Sequence, residues 1–293
     1  MKLGGIEAGG TKVVCGIGNE NGHVLERVSF PTTTPEETID RVLSFFKEKE
    51  LDAIGVGSFG PVDLDKTSET YGYITTTPKK QWSHYNFWGE LKKHFSIPIG
   101  FDTDVNAAAL GETQWGAAQN VDSCIYITVG TGIGVGAVVE GKLLHGMSHP
   151  EMGHILIQRH PEDSFAGNCP FHHDCLEGMA AGPAIEKRWG KSGVELEQQR
   201  KVWELEAFYL AQALMNYILI LSPKKIIMGG GVMKQKQLFP LIYQQLATML
   251  NGYVQVEQLA HINEYIVSPG LGNNAGLCGA LALAKLEMEC TKM

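Results

Sequence analysis

Two glycine-threonine loops occur in this chain, Gly5-Ile6-Glu7-Ala8-Gly9-Gly10-Thr11-Lys12 near the start and Gly130-Thr131-Gly132-Ile133-Gly134 further on. Both loops have the same surroundings. The first leads into Val13 to Ile17, a turn at Asn21-Gly22 and a return through Val24 to Phe30. The second follows Cys124 to Val129 and leads into Gly134 to Val139, a turn at Glu140-Gly141 and a return through Lys142 to Leu144. Asn-Gly between apolar runs signals a hairpin, so each half is predicted to open as strand, loop, strand, turn, strand. Glycine lets consecutive backbone N–H groups close on an anion, and threonine adds a hydroxyl donor. Each loop alone also reads as an ordinary tight turn; the duplication favours two loops gripping one polyphosphate. Neither loop reads Gly-x-x-x-x-Gly-Lys-Ser/Thr, nor Gly-x-Gly-x-x-Gly opening a helix, which argues against a P-loop NTPase and a Rossmann dehydrogenase.

With 293 residues, 44% of them hydrophobic and 19% charged, the chain can bury a large core and is expected to form two domains of a soluble protein. A net charge of -8 opposes nonspecific nucleic-acid binding. The longest apolar stretch, Tyr209 to Leu221, is interrupted by Gln212 and Asn216 and is too short to cross a bilayer. The start moves directly into a strand without a signal-peptide apolar region, so a cytoplasmic location is expected. Cys15, Cys124 and Cys278 lie in apolar runs and read as free core thiols. Only Cys169 and Cys175 lie close together in a polar segment.

The first domain is expected over residues 1–116. Thr34-Pro35 starts a helix that places Ile39, Val42, Leu43 and Phe46 on one face. A strand at Ala53 to Val56, a loop-rich segment from Gly60 to Pro98, a strand at Ile97 to Phe101 and a helix from Asn106 to about Trp115 complete it. The second domain, residues 117–293, repeats the three-strand opening and then inserts a polar segment from His145 to Glu177. A helical region from Val194 to Leu221 follows, then a strand from Lys225 to Met228 that runs into Gly229-Gly230-Gly231. Helix Leu238 to Leu250, strand Tyr265 to Val267 and helix Ala275 to Lys285 close the chain; the last helix is a candidate to return to the first domain. The expected architecture is a duplicated α/β core with a cleft between two domains.

Five ordered motifs resemble the successive signatures of ROK-family sugar kinases: Gly5 to Lys12, Asp104-Val105-Asn106, Gly130 to Gly134, Glu151-Met152-Gly153-His154 and Cys175-Leu176-Glu177. The resemblance covers essentially the whole chain and is nearest to the bacterial fructokinase branch. It implies a ribonuclease-H-like, actin-like ATPase fold, a homodimer, and transfer from MgATP to the 6-hydroxyl of a hexose. D-fructose is the first expectation, with mannose or glucose the alternatives. The family also includes sugar-responsive repressors, but these carry an N-terminal helix-turn-helix, whereas here the phosphate loop begins at residue 5.

Phosphoryl transfer to a hydroxyl needs a carboxylate that takes its proton, and the resemblance gives that role to Asp104; helix capping is its other reading. Gly60, Thr103, Asp104, Glu151, His154 and Glu177 are the implied sugar contacts, although many relatives have Asn where Thr103 stands. Gly9, Gly10, Thr11, Lys12, Thr131, Gly132, Gly230 and Gly231 are the implied ATP contacts. Lys12 reads equally as a solvated strand-edge lysine, and Gly229 to Gly231 as a plain strand-to-helix turn. Trp189 is a candidate to stack near the base, with a core or interface position as its alternative. Glu7 stands where relatives carry Asp and is a candidate to hold Mg²⁺, directly or through water. Two thiolates and two imidazoles suit tetrahedral Zn²⁺, which makes His154, Cys169, His172 and Cys175 a candidate structural zinc site, with His173 as the alternative to His172.

Overall fold

The structure, a computed structural model, describes residues 1–292. By its contacts the chain forms two compact units. The first comprises residues 1–122, 136–150 and 269 onward; the second comprises 123–135 and 151–268.

In the first unit, strands β1 (Lys2–Ala8), β2 (Lys12–Asn19) and β3 (Val24–Pro31) run antiparallel. Strands β4 (Ala53–Ser58) and β7 (Ile99–Thr103) extend the sheet in parallel, in the order β3-β2-β1-β4-β7. The hairpin turn forms as its residues dictate: Gly22 has φ +76°, and Asn19 Oδ1 accepts the amides of Asn21 and His23. Helix α1 (Pro35–Phe46) begins where expected, with Thr34 accepting the Glu37 amide, and buries Ile39, Val42 and Phe46. The segment expected to be loop-rich contains a two-stranded ribbon, β5 (Tyr73–Ile74) with β6 (Tyr85–Asn86), and a short helix α2 (Phe87–His94) capped by Asn86. Phe87 and Leu91 of α2 join Trp82 in the same core as β1, β2 and β4.

Helix α3 (Asp104–Trp115) follows β7 directly, and the last helix, α10 (Ala275–Lys292), packs on α3, β1 and β4. Glycine sets the closeness of this packing. A Cβ on Gly55 would lie 1.8 Å from the Ala280 carbonyl oxygen, and one on Gly279 would lie 2.1 Å from that of Ala107. The helix carrying Asp104 is thereby clamped between sheet and α10.

A second sheet repeats the plan of the first: β8 (Cys124–Val129), β9 (Ile133–Val139), β10 (Lys142–Leu143), β11 (Lys225–Gly229) and β12 (Ile266–Val267) in the order β10-β9-β8-β11-β12. A single change of unit at residue 116 is not what the contacts give, because the later half of β9 belongs to the first unit. There Ala137 N donates to Asn106 Oδ1 at 3.1 Å, and Gly136 lets the strand pass against the backbone of Val105.

The second unit holds helices α4 (Leu176–Ala180), α5 (Gly182–Trp189), α6 (Arg200–Leu221), α7 (Leu238–Leu250), α8 (Glu257–Ala260) and α9 (Ile262–Tyr265). The long helical region starts at Arg200, six residues later than expected. The preceding turns are held by the Trp203 indole N–H, which donates to the carbonyls of Leu196 and Glu197. At the other end of the chain, α10 runs past Lys285 to Lys292.

Candidate active site

The first glycine loop joins β1 to β2. It closes through Gly9 N donating to Lys12 O at 3.0 Å and is held from β3's end by the Thr32 hydroxyl on Gly9 O at 2.7 Å. Thr11 and Lys12 are exposed, Gly9 and Gly10 half-buried. Glu7, on β1 just before the loop, packs its carboxylate against Gly276. Burial raises its pKa, and Lys12, Arg27 and the Leu277 amide partly oppose that rise. Such a carboxylate lacks water and gains from a cation.

Asp104 occupies the first position of α3, half-buried, with Oδ1 accepting the Val105 amide at 2.9 Å. The cap itself belongs to Thr103, whose Oγ1 accepts the Asn106 amide at 3.1 Å. Thr103 is buried, so the oxygen expected to face sugar is already engaged in the helix cap. Gly57 on β4 makes room here, since a Cβ on it would stand 3.2 Å from the Asp104 Cα.

Asp102 is buried and fully occupied. Its Oδ1 accepts from Thr103 N and Asn106 Nδ2, and its Oδ2 lies 2.7 Å from His145 Nε2. A side chain so committed is a scaffold for the strand–helix junction. His145 was not legible in the sequence, and neither was His149, whose Nε2 accepts the Val62 amide at 3.0 Å and whose ring packs beside Gly60.

In the second unit, Gly130 N donates to Gly132 O, and Gly130 O accepts the Gly182 amide at the start of α5. Glu177 lies directly against this loop: its Oε2 accepts Ile133 N at 2.9 Å, and a Cβ on Gly132 would stand 2.6 Å from it. Glu151 keeps an exposed surface, yet partial desolvation of its carboxylate, followed by the Glu177 charge, pushes its pKa up to about 7.

A cavity of about 430 Å³ brings Gly130 and Thr131 together with Gly231, Val232, Gly193 and Trp203. Gly230 begins the turn at φ +93°, with no space for a Cβ over Val129, as a backbone that must be glycine. Trp189 does not line this cavity; it lines another, of about 730 Å³, with Phe165, Arg188 and Phe208. The tryptophan at the loop-lined cavity is Trp203.

The insert gathers four donors. One ligand atom each from His154, Cys169, His172 and Cys175 lies within 4.8 Å of every other. His154 Nδ1 stands 3.7 Å from Cys169 Sγ and 3.5 Å from Cys175 Sγ, and His172 Nδ1 stands 3.8 Å from Cys169 Sγ. These separations match the edges of a tetrahedron with metal–ligand bonds of about 2.0–2.3 Å. His172, not His173, enters the cluster; His173 instead pairs its backbone with Cys169. The other ring nitrogen of His154, Nε2, stands 3.9 Å from Glu177 Oε1.

Comparison with known proteins follows the same lines. Residues 3–287 match the ROK family. A Bacillus subtilis protein named "Putative fructokinase" is 60% identical over 288 residues, 98% of this chain and 96% of that one. The fructokinase of Pediococcus pentosaceus is 48% identical over 289 residues, 99% of each chain. Among solved structures, a ROK hexokinase from Thermus thermophilus superposes with a TM-score of 0.80 at 28% identity, covering 99% of this chain and 100% of that one.

Proposed function

The chain belongs to the ROK family, and from that footing we propose that it is an ATP-dependent fructokinase, transferring the γ-phosphoryl group of ATP to the 6-hydroxyl of D-fructose. Its fold is the actin-like ATPase fold of the ROK kinases. The observation that carries the choice of fructose is the near full-length identity to relatives named for that sugar. The chemistry fits Asp104. Asp104 stands at the first position of α3 behind the Thr103 cap, and its carboxylate is assigned to accept the 6-hydroxyl proton. As that proton moves, the sugar oxygen bonds to the γ-phosphorus and the bond to the β,γ-bridging oxygen breaks, leaving ADP and fructose 6-phosphate.

In the first unit we assign phosphate contacts to Gly9, Gly10, Thr11 and Lys12, and sugar contacts to Gly60, Asp104 and the Thr103 hydroxyl hydrogen. In the second unit Thr131, Gly132, Gly230 and Gly231 are assigned to the nucleotide, and Glu151, His154 and Glu177 to the sugar. Carboxylates accept hydrogen bonds from neighbouring hydroxyls, which orients a sugar without reacting with it. Glu7 would hold Mg²⁺, which neutralises phosphate charge when bound. His154, Cys169, His172 and Cys175 would hold a structural Zn²⁺, leaving Nε2 of His154 for the sugar side. No helix among the described residues is long and apolar enough to cross a membrane. Five of six free cysteines are buried, which suits a reducing cytoplasm, and the family resemblance favours a homodimer.

The deciding experiment is an ADP-release assay with MgATP across fructose, mannose, glucose and N-acetylated hexosamines. The highest kcat/KM is expected for fructose. A clear preference for another sugar would overturn the fructokinase reading, and no sugar-dependent ADP release would overturn the kinase reading.

A further inference from the structure

A cation that the sequence motifs do not single out stands over the first glycine loop. A Cβ on Gly10 would lie 3.8 Å from Cε of Lys79, so the far end of this lysine's stem runs beside the loop at a distance only a side chain would close. Lys79 is half-buried, and its main chain is fixed from both sides. Its amide faces the Thr77 hydroxyl at 3.4 Å, and its carbonyl accepts the Trp82 amide at 2.8 Å. Trp82 is in turn locked into the core: it is 1% exposed, its indole N–H donates to Thr33 O at 2.8 Å, and Phe59 and Phe87 pack against its ring edge-to-face. The lysine therefore projects from a rigid base.

Its ammonium, however, has no hydrogen-bond or ion-pair partner among the described residues. Lys12, the loop's other lysine, also has no hydrogen-bond or ion-pair partner among the described residues, but with Arg27 it acts electrostatically on the Glu7 carboxylate, which Lys79 does not. An unneutralised ammonium held over a turn of glycines calls for an anion, and a strongly hydrated point charge on a flexible stem suits a phosphate group.

We propose that Lys79 is a further catalytic residue, binding the terminal phosphate of the nucleoside triphosphate through its ammonium; this rests on the kinase reading above. During transfer the bond from the γ-phosphorus to the β,γ-bridging oxygen breaks while the bond to the sugar oxygen forms. The proton leaves the sugar for Asp104, and Lys79 keeps its own. Its contribution is electrostatic, on the charge that spreads over the moving phosphoryl oxygens.

The test uses the full-length enzyme with MgATP and fructose, comparing Lys79→Gln, Lys79→Arg and the exposed neighbour control Lys80→Gln. Removing one such donor typically costs on the order of 10²-fold in kcat. That loss is expected for Lys79→Gln with KM for fructose within about twofold, since a contact made in the transition state lowers kcat without weakening sugar binding. Lys79→Arg should recover at least part of the loss, and Lys80→Gln should match the wild type. Calorimetry supplies a second readout: Lys79→Gln should weaken a nonhydrolysable ATP analogue and leave ADP unchanged, because ADP lacks the terminal phosphate. Unchanged kcat with unchanged analogue affinity, or an equal loss for analogue and ADP, overturns the proposal. If the wild type turns over no hexose, the kinase reading fails by that result alone, and the analogue-against-ADP comparison still decides Lys79.

Discussion

Nε2 of His145 lies 2.7 Å from Oδ2 of Asp102, and the two differ sharply in exposure, with side chains 43% and 3% exposed. The pair fastens the segment after β10 to the end of β7, two residues before Asp104. The Asp102 hydrogen bond raises the His145 pKa above its usual 6.5, and burial opposes it. His149 also feels the Asp102 charge, but burial holds its pKa below the usual value, in keeping with a ring nitrogen that accepts the Val62 amide.

The sign of the resulting pH dependence follows. A histidine whose folded pKa lies above its unfolded value adds stability that is full below about pH 6.5 and is lost as pH rises through the folded pKa. Because the imidazole is well exposed, screening keeps this contribution to at most about 1 kcal/mol. Thermal melts of the wild type and of His145→Gln between about pH 5.5 and 8.5 should show a stability difference that shrinks toward high pH. A difference that grows toward high pH would contradict the pairing.

Asp104 and Thr103 separate chemistry from capping. Asp104→Asn should retain thermal stability and substrate binding yet lose about 10²- to 10⁴-fold in turnover, since the proton acceptor is gone and the cap remains. Thr103→Ala should lose about 0.5–2 kcal/mol of stability with the cap, and with the hydroxyl gone it should also raise KM for the sugar. Near-normal kcat in a folded Asp104→Asn enzyme would remove Asp104 from the role of base.

Gly279 is a structural counterpart on α10. An alanine there must push its methyl into the Ala107 carbonyl, moving α10 off α3 or bending both. Overpacking of this kind costs about 1–3 kcal/mol. A chemical denaturation series should show Gly279→Ala destabilised, whereas Gly252→Ala, at an open turn with φ +71°, has no such clash and should lose only what the left-handed backbone costs. Equal stability of Gly279→Ala and wild type would refute the close-packing account.

What the sequence revealed has a common physical character. The Asn21-Gly22 hairpin, the Thr34 cap and the two glycine loops depend on interactions a few residues apart, so each is written locally. The motif Cys-x-x-His-x-x-Cys is similarly local, and His154 joins it through a family signature. The features that escaped depend on distant partners. Gly55 is small because Ala280 of α10 crosses it, and Asp102 is occupied because His145 arrives from another segment. Lys79 looks like one of two adjacent surface lysines until Trp82 and Gly10 fix where its stem lies. Helix α2 is hidden because its eight residues span only about two turns, too few for the Phe87 and Leu91 spacing to stand out, while its anchoring comes from the core around Trp82.

The metal cluster gives the last prediction, and His154 decides its form. One imidazole faces two ways, Nδ1 toward the two thiols and Nε2 toward Glu177. A tetrahedral ion would fix the ring and with it the direction of Nε2, as an outer interaction orients a ligand. Metal analysis of the purified protein should therefore give about one zinc per chain for a single four-ligand site. Stripping it, or Cys169→Ser, should lower thermal stability because binding energy contributes to folding, and should also raise KM for fructose. Added Mg²⁺ should not restore the stripped protein, since a hard ion that prefers oxygen is a poor match for two thiolates and two imidazoles. Zinc should restore both properties together. Full stability and an unchanged KM for fructose in a demonstrably zinc-free preparation would show that the four side chains meet for packing alone.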